Sequence, residues 1–297
     1  MSNKERMEEK KEVTQKVENS QNDYVNEQNQ KVSNEAVEVV NMVVSVIEQL
    51  KAKDKEKALN TIAEVLGKLE VLIAKDPSKE LIPVDVKREV IDFPGTLADV
   101  LYTKEVIEDL VKNDELQKAR DIMLQLASEL DIYVTVLPVV TYPTALKAIV
   151  PLIEQEKFDE AMALIVKVIE TLVIEKIVIP LPILRAEQTI IKASELTKDR
   201  EDANREELKE LIAYAKEQLE LAQALGYGKV DEDYKGLLSE VEKIETILEG
   251  EDSTKDIFET LKEKLSSFMS GFNRVSEPTQ MPKAEDKDKK EEDKESK

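Results

Sequence analysis

The chain of 297 residues, long enough for one large domain or two smaller ones with a sizeable core, carries 64 acidic and 43 basic side chains, a net charge of −21, and 41 % apolar residues. It has no His and no Cys, which excludes Ser-His and Cys-His nucleophile pairs, thiolate chemistry and the usual zinc sites, and its acidity disfavours binding to phosphate backbones or anionic lipid. With only 7 Gly and 10 Pro against 36 % charged residues, long helices are expected rather than a turn-rich β fold.

Residues 1–32 hold only isolated apolar side chains among Glu, Lys, Gln and Asn, so they read as a polar tail, disordered or partly helical. Order is expected from Ser33, a plausible N-cap, with Ala36, Val39, Val40, Val43, Ile47 and Leu50 on one helical face. A charged turn, Lys51–Lys55, leads to a second helix with Ala58, Ile62, Val65, Leu69 and Leu72 inward, stopped at Asp76-Pro77. Leu81–Phe93 is the best strand candidate, with Pro83 placing it at a sheet edge. Pro94-Gly95 turns the chain, and Thr96 with Asp99 forms a capping box for the next helix. Beyond the turn Lys112–Glu115 a helical pattern runs through Leu116, Ala119, Met123, Leu126, Leu130 and Val134, until Pro138 and Pro143 force Val136–Tyr142 out of α geometry. A short helix, Ala145–Gln155, follows, and the next carries Phe158, Ala161, Ile165, Val168, Ile169 and Leu172.

Pairs such as Leu110 and Leu152, Ala119 and Ala161, and Pro138 and Pro180 recur at an offset of 42 residues, and a weaker copy lies 61 residues upstream. The centre therefore reads as three related helix-turn-helix units, each closed by a proline. The apolar segments Tyr133–Tyr142 and Ile177–Leu184 need internal partners for their backbone groups, so they are expected side by side, as paired strands or buried connectors. Further helices are expected from Arg185, over Leu208–Leu225 with Asn204 as cap and Gly226 as C′ residue, and from Asp231 to Gly250, with a charged loop over Arg200–Asn204. Ser253–Phe272 carries an apolar stripe that suits docking on the body, a partner groove or oligomer interface, or a membrane surface. From Arg274 onward the chain is a charged, disordered tail. The domains expected are 1–32, a helical body 33–250, an amphipathic helix 251–273 and the tail 274–297.

The ordered set LIPVDV, LASELDI, VLPVVTYPTALKA, TLVIEKIVIPLPILRAE and LELAQALGYG resembles the YfdX family of bacterial proteins, from about Glu35 to Phe272. What carries the resemblance is this ordered set, particularly Tyr142-Pro143, Pro180-Leu181-Pro182, Leu184-Arg185-Ala186 and Leu225-Gly226-Tyr227-Gly228. It implies a mainly α, oligomerising protein, associated with heat and stress resistance, for which chaperone-like or small-molecule-binding roles have been proposed. It supplies no catalytic residues. Many family members carry an export signal, whereas MSNKERMEEKKEVTQ has no apolar core, so a soluble cytoplasmic protein is expected.

No Gly-rich phosphate loop or EF-hand is present, so an enzyme is not expected, and neither catalytic residues, metal ligands nor a cofactor are assigned. Binding is the expected function. Arg185 is read as pairing with Glu129, Glu170 or Glu175, as capping carbonyls, or as holding a ligand; Arg120 has the same ambiguity. Tyr133, Tyr142, Tyr214 and Tyr227 either pack with a bonded hydroxyl or edge a cleft between the proline connectors. The partners expected are other copies of the chain, and unfolded clients or a small ligand.

Overall fold

The structure, a computed structural model, describes residues 3–199, 205–228, 231–250 and 257–272. Its elements in order are α1 (Asn3–Lys31), α2 (Asn34–Lys51), α3 (Lys55–Lys75), β1 (Leu81–Ile91), α4 (Leu97–Lys112), α5 (Leu116–Met123) and β2 (Glu129–Pro138). There follow α6 (Tyr142–Lys147), α7 (Val150–Glu154), α8 (Phe158–Ile169), β3 (Val173–Pro180), α9 (Leu181–Asp199), α10 (Arg205–Leu225), α11 (Asp231–Glu249) and α12 (Glu259–Phe272). The fold is mainly α with a small antiparallel sheet of order β1-β2-β3.

The repeat is visible as geometry. Lys53, Asp114 and Glu156 all take left-handed backbone, at φ 57°, 60° and 57°, and they are spaced by the same 61 and 42 residues as the sequence copies. In each turn the next residue's N–H reaches back five positions: Asp54 to Gln49 O, Glu115 to Leu110 O and Lys157 to Leu152 O, all at 2.9 Å. This is the helix stop that glycine usually supplies. A left-handed non-glycine residue costs about 1–2 kcal/mol. Glycine at Lys53, Asp114 or Glu156 should therefore raise stability by roughly 0.5–1 kcal/mol each, after the greater freedom of the unfolded chain is subtracted. Urea denaturation of the three single variants measures this, and a loss at all three would show that these turns hold no strain.

Each hairpin ends in a strand, not simply in a proline. Pro77 lies before β1, whereas Pro138 ends β2 and Pro180 ends β3, so the most distant copy matches through the turn but not to its end. The helix expected through Val134 stops at Met123. From Leu130 the period changes to two: Leu130, Ile132, Val134 and Val136 point one way while Glu129, Asp131, Tyr133 and Thr135 point the other. The two proline segments do belong to neighbouring strands, since Glu129–Val136 pairs with Val173–Pro180. The pairing is antiparallel, however. Pro180 faces Glu129 at one end of β2, and Pro138 faces Leu81 at the other, so nine residues of strand, about 30 Å, separate the two prolines along β2. They do not flank a common cleft.

β1 sits at the edge, with its register broken between Pro83 and Asp85. Ser33 caps α2, and Thr96 with Asp99 completes the capping box of α4. The helix expected over Ala145–Gln155 is two short ones, α6 and α7, each opened by a proline that leaves a donor missing. α9 starts at Leu181, ahead of Arg185, because Pro182 is tolerated in a first turn. Gly226 does end α10, at φ 87°.

Two apolar cores form. The first joins Leu130, Ile132, Val134 and Val136 of β2 and Ile177 and Ile179 of β3 to α9, α10, α11 and α12. The second joins α2, α3, α6, α7 and α8 to Ile82, Val84, Leu137 and Val139. β2 serves both, because Leu137 follows Val136 by one residue and so faces the opposite side. The stretch expected as a polar tail instead forms α1, which lies against α9, β1 and β2 with Val13 and Val17 in the first core. The sparse valines are enough because they fall four apart on one face. α12 docks on the body through Leu261, Leu265 and Met269, together with Phe258 just before it. The loop expected over Arg200–Asn204, the cap Asn204, the start of the last helix at Ser253 and the tail 274–297 lie outside the described residues.

One unit joins neither core. α4 packs on α5 and α10, and of the two helices only Val100 and Ala119 are buried. Leu101, Tyr102, Val111, Leu116, Met123 and Leu124 are exposed, Leu124 at 69 % and Tyr102 at 68 %.

Candidate functional site

At the end of the sheet where β1 finishes, β2 begins and β3 finishes, polar side chains from five elements meet. Asp92 follows β1 and accepts from Ser128 Oγ at 2.6 Å and from Arg185 Nη2 at 2.5 Å. Ser128 in turn holds α9 in place, its carbonyl accepting from Leu181 N at 2.9 Å. Tyr227, just past the Gly226 turn, accepts from Ser128 N at 2.8 Å and donates to Glu129 Oε2 at 2.7 Å. Burial first, and then the bonded Glu129 carboxylate, push the Tyr227 phenol far up. Its backbone carbonyl accepts from Tyr234 at 2.6 Å, which ties α11 to the same corner.

Lys176 of β3 binds the next pair of carboxylates. Its Nζ lies 2.7 Å from Asp131 Oδ2, 3.3 Å from Glu129 Oε1 and 5.8 Å from the ring centre of Tyr133. The register explains this, since Tyr133 faces Lys176 across the ladder and Glu129 and Asp131 share its side of β2. Burial works against the ammonium charge, but Asp131 and Glu129 outweigh it and raise the Lys176 pKa. Tyr133 donates to Asp131 at 3.2 Å; slight burial and that carboxylate raise its pKa as well. Asp131 is fully buried, and its Oδ1 has no protein partner. Tyr214 of α10 borders the Arg185–Asp92 pair, its phenol raised by burial and pulled back by Arg185.

Five of the seven residues singled out from sequence therefore gather here: Glu129, Tyr133, Arg185, Tyr214 and Tyr227. Two do not. Arg120 is on the exposed side of α5. Tyr142 is buried in the second core, with an unpartnered hydroxyl and a pKa pushed up to about 12 by burial. Arg185 pairs with Asp92, not with Glu129, Glu170 or Glu175. Asp92, Ser128, Asp131 and Lys176 were missed. An Asp inside the apolar run LDIYVTV was the available signal, because a charge there needs a partner on an adjacent strand.

Charge pairs and hydrogen bonds hold this corner together. Its acids are tied to lysine, arginine, serine or tyrosine, and among the described residues no group of three or more acidic side chains is placed to hold a metal ion. No helix among the described residues is long and apolar enough to cross a membrane.

Residues 39–178 match the family model described as YfdX protein. That span runs from α2 to β3 and is shorter than the resemblance read from Glu35 to Phe272. A solved structure of YfdX from Salmonella Typhi is similar at 11 % identity and a TM-score of 0.34, covering 50 % of this chain and 93 % of that one. No curated protein matches the chain.

Proposed function

Because residues 39–178 match the YfdX family model, we propose that this chain is a non-enzymatic, stress-associated binding protein of the YfdX type that holds partly unfolded polypeptides in a chaperone-like manner. The observation that carries this reading is the α4–α5 hairpin, which belongs to neither core yet exposes Leu116, Met123, Leu124, Leu101 and Tyr102. Exposed side chains of this size cost solubility, and a net charge of −21 offsets that cost by keeping loaded complexes apart. The amphipathic C-terminal helix is no longer available for this role, since its stripe is packed on the body. The same hairpin could pair copies of the chain, which native mass spectrometry would register as an even-numbered assembly.

At stoichiometric excess the protein should suppress heat-induced aggregation of a model client. The double variant Leu116→Ser/Met123→Ser should lose more than half of that protection while its stability stays within about 0.5–1 kcal/mol of wild type, as surface changes do. Light scattering measures the first and urea denaturation the second; no protection by the wild type would reject the reading.

A second reading, a small-molecule-binding protein, is supported by the polar corner, with its Arg185–Asp92 pair and the unpartnered Asp131 Oδ1. A ligand selective for the folded state raises the melting temperature. In a thermal-shift screen of metabolites, Arg185→Ala should abolish the response to an anionic hit without unfolding the chain, and an unchanged shift would remove Arg185 from the site.

A further inference from the structure

α1 is a 29-residue helix, and among its described side chains only Val13, Val17 and Gln28 are buried. It lies against α9, β1 and β2, and through Val13 and Val17 it joins the first core, to which α9 also contributes Ala186, Ile190 and Ala193 and β2 contributes Val134. Tyr24 and Val25 cover more of that core without being enclosed by it. Two reciprocal ion pairs set the register of the helix on α9, Lys16 with Glu195 and Glu12 with Lys192, both at 2.5 Å. Arg88 of β1 adds a hydrogen bond to Asn22 at 2.7 Å. This is the pattern by which a groove reads an amphipathic helix: apolar anchors four apart, flanked by charges that fix direction.

The connection to the body also suits a detachable part. Only Val32 and Ser33 join α1 to α2. Ser33 is fixed independently, its N–H donating to Pro83 O at 3.0 Å and its side chain capping α2. A rotation about Val32 therefore moves α1 off α9, β1 and β2 while leaving the Ser33 contacts that start α2 in place. Both α1 and α9 also lie outside residues 39–178.

We propose that the face formed by α9, β1 and β2 is a helix-binding groove, occupied in cis by α1 as an internal competitor. With α1 swung out, it accepts an amphipathic helix of another polypeptide that presents apolar residues four apart beside one acid and one lysine. The cis helix is tethered at a high effective concentration, so occupancy in trans is controlled by how firmly α1 sits. Heat, or salt that screens the partly exposed Lys16–Glu195 and Glu12–Lys192 pairs, loosens the seat and opens the groove. This inference does not depend on the client-holding role of α4–α5, because its test uses no client.

The probe is a fluorescein-labelled peptide of residues 3–31, titrated by anisotropy against the full chain. Val17→Asp in the chain weakens the cis helix, so the wild-type peptide should bind that variant at least about tenfold more tightly than it binds the wild-type chain. The milder Lys16→Glu, which turns the Glu195 contact repulsive, should act in the same direction and guards against misfolding of the first variant. The natural sequence has no Cys, so Lys16→Cys/Glu195→Cys can be joined by a short bis-maleimide, and the locked chain should not bind the peptide. Unchanged affinity in both weakened variants, or equal binding by the locked and free chains, would overturn the proposal.

Discussion

Lys176→Met should destabilise the fold by about 3 kcal/mol, the cost of leaving a buried carboxylate without its counter-charge. The two ends of this ion pair are not equivalent. Asp131 has 1 % of its side chain exposed, whereas Lys176 has 36 %. Removing the lysine strands Asp131 at the centre of the sheet, where one of its oxygens already lacks a partner. Removing the acid instead leaves Lys176 near water and still beside Glu129 at 3.3 Å, so Asp131→Ala should cost clearly less. The double variant Asp131→Val/Lys176→Met replaces the pair with apolar groups and should recover most of the loss. Urea denaturation of the three variants tests the scheme. Equal losses in the two single variants would mean that the pair is screened by water and contributes little.

Leu69→Ala and Leu219→Ala should each cost about 2–5 kcal/mol, as deletions of fully buried leucines do, but in different halves of the molecule. Leu69 belongs to the core of α2, α3 and α6–α8, and Leu219 to the core of α9–α12. Native-state hydrogen exchange should show faster opening of α2, α3 and α8 in the first variant and of α9–α11 in the second. β2 should respond to both, because Val136 and Leu137 point into opposite cores. Identical exchange patterns would mean that the two cores open as one cooperative unit.

The helical content was legible because Ala58, Ile62, Val65, Leu69 and Leu72 follow a single period without interruption, and the capping residues Ser33, Thr96 and Gly226 mark ends by local chemistry. The edge position of β1 could be read from Pro83 for the same reason. β2 was harder to read. Leu126, Leu130 and Val134 continue a spacing of four, while Leu130, Ile132, Val134 and Val136 obey a spacing of two, and only pairing with β1 and β3 decides between them. Docking of α1 was hidden because two valines do not outweigh a polar composition unless a groove is there to receive them. In the polar corner, arginine and tyrosine stand out in any sequence, and most of those chosen do converge. Their partners Asp92, Ser128 and Lys176 look like ordinary surface residues until the strands bring them together.

The left-handed turns at Lys53, Asp114 and Glu156 mark three versions of one hairpin, and the molecule does not use them alike. The outer two are committed to a shared interior, since α2, α3, α7 and α8 all contribute to it. The middle version carries no such obligation. After a duplication, a redundant copy can accumulate changes that would be lethal in its siblings. Among descendants of a common ancestor, α4–α5 should therefore diverge fastest while the rest of the architecture is inherited intact.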